Sequence, residues 1–308
     1  MGNVISVNIS TAKGTVKEPV PEITVTPTGI EGDAHAGPWH RQISLLARES
    51  IDRFAEQAGH TFNCGDLAEN ITTADLDLSA CRILDRLTIG PVELEVTQIG
   101  KACHGGGCAI FKAVGKCIMP KEGIFARVFS GGMIRPGDTI TAEARPLHVL
   151  VLTLSDRASR GDYEDQSGPA VVKALEDHFA QSHWAGRISA DILADDASLI
   201  EKRVRQALTD GVDLLVTTGG TGIGPRDCTP EAIMPLLDKQ IPGVMEHIRM
   251  KYGARIPAAL LSRSVAGTVG STLVYLLPGS VKAVQEYMAE ILPTLDHSLF
   301  MVRGLDTH

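Results

Sequence analysis

The stretch Thr217-Thr218-Gly219-Gly220-Thr221-Gly222-Ile223-Gly224-Pro225-Arg226, followed by Asp227 and then by Thr229-Pro230-Glu231, decides how this chain is read. It follows Val212-Asp213-Leu214-Leu215-Val216, a short apolar run of buried-strand type, and so stands at the carboxyl end of a strand. Glycine lacks Cβ and accepts positive φ, so backbone N–H groups in such a loop can turn inward on an anion. Thr229 as N-cap, Pro230 at the first helical position and Glu231 in the first turn predict a helix just beyond the loop. In open α/β sheets ligands gather at this rim of the strands. A dinucleotide fingerprint needs G-x-G-x-x-G, whereas the chain reads G-T-G-I-G-P from Gly220, and a P-loop sequence is absent. Asp227 separates the loop from a plain chain reversal, because a carboxylate among anion donors repels the ligand unless a metal cation sits between them.

At 308 residues, with 44% hydrophobic and 21% charged residues, the chain is long enough for two ordinary domains, each with its own core. No apolar run approaches the length of a membrane span, so no membrane partner is expected. The start, Met1-Gly2-Asn3-Val4, enters a strand-like pattern without a basic region and apolar core; a secretory signal is not expected, and the cytoplasm is the expected compartment. Six scattered cysteines do not suggest a disulfide framework. A formal charge of −8 argues against non-specific nucleic-acid binding, so an anionic ligand needs a local cationic site or a metal.

The two halves differ in rhythm. Val4 to Ile9, Arg86 to Ile89, Val92 to Val96 and Thr139 to Ala142 read as short strands, with one clear helix around Ser50 to Ala58, which predicts a barrel or sandwich. Near Arg145-Pro146 the pattern becomes alternating: strand Leu147 to Leu154, helix Gly168 to Phe179, strand Ile188 to Leu193 and helix Ala197 to Leu208. After strand Leu214 to Val216 and the glycine loop come helices over Pro230 to Leu237 and Pro242 to Lys251, strand Leu273 to Leu277, and a last helix from Ser280 to Ile291. Such alternation predicts an α/β fold, a mostly parallel sheet covered by helices on both faces, following a β-rich domain, with the boundary at residue 146. Three further strand ends should share the rim with the glycine loop: Ser155-Asp156-Arg157-Ala158-Ser159, Leu193-Ala194-Asp195-Asp196, and Leu277-Pro278-Gly279-Ser280. Asp196 suits an N-cap, which leaves Asp195 free for a ligand.

These segments, with Gly161 to Asp165, Ser167-Gly168-Pro169 and Ser262-Arg263-Ser264, resemble the molybdopterin adenylyltransferase family of the MogA and gephyrin G-domain type, over about Leu147 to Gly304. The resemblance implies a three-layer α/β/α domain and Mg²⁺-dependent transfer of AMP from ATP to the terminal phosphate of molybdopterin, releasing pyrophosphate. It implies Asp195 and Asp227 as catalytic residues and Mg²⁺ ligands. It places Ser155, Asp156, Asp165, Thr218, Gly219, Gly220, Thr221, Gly222, Ser271, Pro278, Gly279 and Ser280 around molybdopterin and its phosphate, in a trimer. Val281 departs from the proline the family often has at that position. The residues themselves suit this chemistry. A phosphate monoester, with a second pKa of roughly 6, is already largely dianionic at neutral pH, so charge rather than basicity is the obstacle. Arg157, Arg226, Arg263 and Lys282 are candidate cations, each also compatible with a solvated surface role.

In the first half, Gly29 to Gly37, Trp39-His40-Arg41-Gln42, Gly65 to Asn70, Gln98 to His104 and Cys117 to Gly123 resemble the MOSC domain, over about Val4 to Glu143. That implies a β-rich barrel pocket for a molybdenum-cofactor-like ligand, with Cys103 at the family's characteristic cysteine, as a molybdenum ligand or sulfur carrier. A zinc site on Cys103, His104, Cys108 and Cys117 competes, but the C-H-x₃-C-x₈-C spacing lacks the two tight pairs of structural zinc. Asp33, His35 and His40 could suggest a metal, although histidines near a turn usually make ordinary hydrogen bonds. Cys64, Cys81 and Cys228 read as small apolar fillers. The expected partners are molybdopterin, ATP, and a molybdenum insertion protein or recipient molybdoenzyme; pyridoxal phosphate is not expected. Two active modules on one chain would raise the effective concentration of a shared intermediate. A non-catalytic cofactor carrier, and sulfur transfer through Cys103, are the rival readings.

Overall fold

A computed structural model describes residues 1–101 and 117–305, which form two compact units, Met1–Pro146 and Leu147–His308.

The first unit is built on strands β1 (Gly2–Ile9), β2 (Glu18–Val20), β3 (Ile23–Thr26), β4 (Gly29–Ile30), β5 (Ile43–Ala47), β6 (Ile71–Ala74), β7 (Arg86–Ile89), β8 (Val92–Ile99), β9 (Ile124–Ser130), β10 (Gly132–Ile134) and β11 (Thr139–Glu143). Neighbours run β11-β7-β8-β9-β5-β6-β1, and β11 also pairs with β1, so seven strands close on themselves. That closure decides for a barrel over a sandwich and removes the sheet edges. Val4, Val7, Leu45, Ile71, Leu87, Leu94, Val96, Ile124 and Ile140 belong to one buried apolar core. Helix α1 (Arg48–Ala58) packs Ile51 and Phe54 with Phe62, Leu67 and Phe125 in a second apolar cluster, and ends at Gly59 in the left-handed conformation. A short helix α2 (Met119–Glu122) adds Met119 to that cluster.

The second unit is three-layered. Its sheet has the order β13 (Gly186–Leu193), β12 (Leu147–Leu154), β14 (Leu214–Thr218), β17 (Thr272–Leu277), β16 (Ala266–Val269), β15 (Lys239–Gln240). The first four are parallel and the last two antiparallel. Side chains alternate across it, as a strand's period of two requires. Leu150, Leu152, Leu154, Leu215, Val274 and Leu276 form one core with Ile200 and Val204 of α5 (Ala197–Thr209) and Ile233 of α6 (Thr229–Ile233). On the opposite face Leu214, Val216 and Tyr275 meet Leu175 of α4 (Ser167–Phe179) and Met288, Ile291 and Leu295 of α8 (Val281–Val302). Helices α3 (Asp156–Ser159) and α7 (Pro242–Gly253) complete the unit.

Four elements of the second unit differ from the sequence-based expectation. The last helix does not stop at Ile291 but continues through Pro293 to Val302, because Leu295 and Leu299 are fully buried and Phe300 packs on Trp184 at 5.0 Å. Tertiary burial outweighs the hydrogen bond that Pro293 cannot donate. The helix expected over Pro230 to Leu237 is α-helical only over Thr229–Ile233 and becomes a 3₁₀ turn, Met234–Leu236, where Pro235 removes the next donor. The edge strands β15 and β16 have no counterpart in the sequence reading.

Candidate active site

Strands β12, β14 and β17 run in register, with Thr153 beside Thr218 and Thr218 beside Leu277, while Leu193 of β13 lies beside Leu154. Their carboxyl ends therefore deliver Ser155, Asp195, Gly219 and Pro278 to one rim. A cavity of about 730 Å³ opens there, lined by Ser155, Asp165, Asp195, Thr218 to Gly222, Asp227 and Pro278 to Ser280.

The glycine loop is held by backbone approaches that side chains would block. Gly219 (φ 109°) donates to the Leu277 carbonyl at 3.0 Å, and a Cβ on it would strike the Leu154 carbonyl. Gly279 lies so close that its own Cβ would stand 3.2 Å from Gly219 Cα. The Thr218 hydroxyl donates to the Pro278 carbonyl at 2.9 Å, tying the two loops together. Thr229 is not the N-cap; Cys228 holds that place. Instead the buried Thr229 hydroxyl donates to the Gly219 carbonyl at 2.9 Å and its amide donates to Gly220 at 3.1 Å, which folds the loop back onto α6. The amides of Gly220, Thr221, Gly222 and Ile223 find no protein acceptor among the described residues, the arrangement of an anion-binding nest.

Two carboxylates face this nest. A Cβ on Gly220 would lie 3.4 Å from Asp195 Oδ1, and one on Gly222 would lie 2.6 Å from Asp227 Oδ2. Asp227 is braced by the Gly224 amide at 2.8 Å. Asp195 accepts the Asp156 amide at 3.0 Å, and its own amide donates to Asp156 Oδ1 at 3.2 Å. Burial raises the Asp195 pKa above the ordinary carboxylate value, and the negative charges of Asp156 and Asp227 push it the same way, against the Asp156 amide and Arg226. Such a crowd of anions favours a bound cation. Asp196, as the sequence predicts, caps α5 by accepting from the Leu199 amide at 3.0 Å.

Other expected residues take structural roles. Asp156 does not line the cavity; it pairs with Arg226 and locks Asp195. Asp165 lines the cavity but accepts from the Thr153 hydroxyl at 2.6 Å and from the Ser167 and Gly168 amides at 2.9 and 3.2 Å, fixing the start of α4. Ser155 and Ser280 cap α3 and α8, accepting from Ala158 and Ala283, both at 3.3 Å. Ser271 is not brought to the site. It is exposed in the β16–β17 turn, at the amino end of β17, so the whole strand, roughly 20 Å at the usual rise, separates it from Pro278. Of the four candidate cations, only Arg157 and Lys282 line the cavity: Arg157 stacks over Tyr163 at 5.5 Å and Lys282 stands 3.9 Å from Glu286. Arg263 is turned to the loop backbone instead, donating to the carbonyls of Gly222 at 2.7 Å and Asp227 at 2.8 Å. Sequence reasoning missed the wall formed by Tyr252, Ile256, Ala259, Leu261 and Tyr287, which no motif announces.

In the first unit, Asp33 is buried and ion-paired with Lys17, and accepts from the amides of Ser10 at 3.1 Å and His35 at 2.9 Å and from Asn70 Nδ2 at 3.0 Å. Burial alone would raise its pKa, but hydrogen bonds from His35 and Lys17 hold it well below the usual carboxylate range. Asp33 and His35 thus take part in a hydrogen-bonded network, and among the described residues no group of three or more His, Cys, Asp or Glu side chains is placed to hold a metal. Cys103, His104 and Cys108 lie outside the described residues. Cys81 is buried, as a filler would be, and burial pushes its thiol up to about 11, whereas Cys64 and Cys228 are only half-buried.

Both units have known relatives. The profile of a family described as a probable molybdopterin binding domain matches residues 150–297, and that of the MOSC domain matches residues 32–141. A molybdopterin adenylyltransferase of Helicobacter pylori strain J99 is 37% identical over 162 residues, 51% of this chain and 89% of that protein. A molybdenum cofactor biosynthesis bifunctional protein of Synechococcus elongatus is 36% identical over 173 residues, 56% of this chain and 53% of its own length. The solved structure of a molybdopterin biosynthesis Mog protein from Mycobacterium ulcerans is 31% identical, covering 52% of this chain and 99% of that one, with a TM-score of 0.47. With a glycine nest and paired carboxylates at the strand ends of one unit and a closed MOSC barrel in the other, this chain belongs to the molybdopterin adenylyltransferase family.

Proposed function

We propose that residues 147–308 transfer AMP from ATP to the terminal phosphate of molybdopterin and release pyrophosphate. The observation that carries this reading is the row of unengaged amides from Gly220 to Ile223 facing Asp195 and Asp227. In the reaction, an oxygen of the molybdopterin phosphate forms a bond to the α-phosphorus of ATP, and the bond from that phosphorus to the bridging oxygen of the leaving pyrophosphate breaks. The loop amides hold phosphate oxygens in a preorganised array. The positive end of α8, entered through Pro278-Gly279-Ser280, faces the same cavity. Arg157 and Lys282 supply mobile positive charge at its edge. The apolar wall of Ile256, Ala259 and Leu261, with the rings of Tyr252 and Tyr287, suits the flat heterocycle of a pterin.

The donor set fits Mg²⁺, which is commonly held by one or two carboxylates together with substrate phosphates and not by an all-protein cage. Asp195 and Asp227 would hold it, and it would neutralise and align the two phosphate groups. Asp156 acts through Asp195 by gripping its backbone.

For the first unit the reading is a MOSC module that holds a molybdenum-cofactor-like ligand, with the Cys103 thiol as metal ligand or sulfur carrier; its support is the position of Cys103 within the matched residues 32–141. A cytoplasmic setting and a trimer complete the reading; among the described residues no helix is long and apolar enough to cross a membrane.

The test is pyrophosphate release by the full chain given molybdopterin, ATP and Mg²⁺, with Asp227→Asn and Asp195→Asn beside it. Release that requires molybdopterin and is lost in both variants, while both still bind molybdopterin, supports the assignment. Molybdopterin binding by the wild-type chain with no pyrophosphate release would replace it with the carrier reading. A mass increase of one sulfur at Cys103 would identify a persulfide.

A further inference from the structure

Arg263 lies on the extended segment between the 3₁₀ turn Pro257–Leu261 and β16, far in sequence from the glycine loop. Its amide donates to the Thr221 carbonyl at 2.8 Å. Its Nε donates to the Gly222 carbonyl at 2.7 Å, its Nη2 to the Asp227 carbonyl at 2.8 Å, and its Nη1 pairs with Glu231 in the first turn of α6. All three guanidinium nitrogens are therefore engaged, and the residue bridges both ends of the turn that carries Asp227. The segment bearing Arg263 is itself held by Arg249 of α7, whose Nη1 donates to the Ser264 carbonyl at 3.0 Å.

The loop needs such a clamp. Glycines at 219, 220, 222 and 224 let its amides face the cavity, but each adds backbone freedom, and this is the residue type that loses most entropy on ordering. Within the turn itself, Asp227 is fixed only by the amide-to-carboxylate bond from Gly224 and by its own amide to the Gly224 carbonyl, at 3.1 Å. Both are local to the turn and move with it. Besides the largely exposed Arg226 side chain, which pairs with Asp156, Arg263 links that turn to the rest of the unit. A planar guanidinium can reach the carbonyls of residues 222 and 227 and the Glu231 carboxylate at once; an ammonium, a point donor on a flexible stem, cannot reproduce that fork.

We propose that Arg263 is a positioning residue that sets the place of the Asp227 carboxylate opposite Asp195, and so the affinity of the site for its divalent cation, without itself contacting substrate. The inference rests on the adenylyltransferase reading for its kinetic consequence, but not for its structural one.

The test uses the full chain with Arg263→Lys and Arg249→Lys. Pyrophosphate release is followed as a function of Mg²⁺ concentration, molybdopterin binding by pterin fluorescence, and amide hydrogen exchange over residues 220–228. For R263K the Mg²⁺ concentration at half-maximal rate is expected to rise by about tenfold and kcat to fall by roughly 10- to 100-fold, as displacement of a catalytic group by up to about 1 Å entails. Its molybdopterin Kd should stay within about twofold, and the amides of 220–228 should exchange faster. R249K, which loosens the segment without touching the loop, should give a weaker version of the same pattern. It decides the matter should R263K fail to fold. A folded R263K, or in its place R249K, with wild-type Mg²⁺ dependence and unchanged exchange would overturn the proposal. If the wild-type chain releases no pyrophosphate, the functional reading fails separately and exchange over 220–228 alone decides the clamp.

Discussion

Adding one methyl group at Gly222 tests the geometry of the site with little disturbance elsewhere. An alanine Cβ at this position would lie 2.6 Å from Oδ2 and 3.2 Å from Cγ of Asp227, whereas ordinary contacts begin at 3.4 Å, so the carboxylate must withdraw by about 0.8 Å. The backbone at Gly222 is not in the left-handed region, so alanine is conformationally acceptable there. The atom it strikes is the end of a side chain that can rotate away if its bond from the Gly224 amide weakens. The stability cost is then mainly the weakened bond from the Gly224 amide to the carboxylate, about 1.5–3 kcal/mol for a charged acceptor, partly offset by about 0.4–1 kcal/mol because alanine has fewer unfolded conformations than glycine. At roughly 2–4 °C per kcal/mol in a domain of this size, Tm should fall by only a few degrees. Activity should suffer far more. A misplacement near 1 Å costs on the order of 100-fold in rate, about 2.7 kcal/mol in barrier. Differential scanning fluorimetry paired with a coupled pyrophosphate assay at saturating molybdopterin and ATP measures both quantities. A folded G222A protein whose kcat stays within about threefold of wild type would refute the placement of Asp227 in the catalytic geometry.

Asp33→Asn strips the buried Lys17 ammonium of its partner and is expected to destabilise the first unit by about 3–5 kcal/mol, read by urea unfolding. A loss below 1 kcal/mol would mean that Lys17 sheds its charge or finds another acceptor. Thr229→Val leaves the Gly219 carbonyl without its hydroxyl donor and should cost about 1–3 kcal/mol, so an unchanged melting curve would contradict the stitching role given to Thr229. The pH dependence of Mg²⁺-supported turnover carries its own sign. Asp195 must be ionised to hold a cation, and burial together with the charges of Asp156 and Asp227 raises its pKa, so activity should fail on acidification at a higher pH than an ordinary carboxylate would cause. Asp156→Asn removes one of those charges and frees Arg226, both of which lower the Asp195 pKa, so the acid limb should move to lower pH; movement in the opposite direction would disprove the coupling.

Much of this protein could be read from local chemistry. Apolar alternation, proline and glycine placement and capping residues located most strands and helices of the second unit, though not strands β15 and β16 or the end of α8, since each depends on neighbours in the chain. The glycine run with Asp227, and Asp195 beside the capping Asp196, marked the site, because close backbone approach and charge leave their trace in residue type. What escaped depends on partners distant in sequence. The continuation of α8 past Pro293 is decided by the burial of Leu295 and Leu299 and by the packing of Phe300 on Trp184, not by helix propensity. Closure of the barrel depends on pairing between the first and last strands of its unit, Gly2 with Ile140, more than a hundred residues apart. The family resemblance placed Ser271 at the site, but strand direction puts it at the opposite end of β17. Arg263 looked like a phosphate-binding cation, and only the approach of its segment to Gly222 and Asp227 makes it a clamp on the loop. Sequence alone determined which groups could bind phosphate and cation, because that is a property of each residue's chemistry. The tertiary structure decided which of those groups remain available, because hydrogen bonds made across the fold engage some of them and leave the amides of Gly220 to Ile223 and the carboxylates of Asp195 and Asp227 facing one cavity.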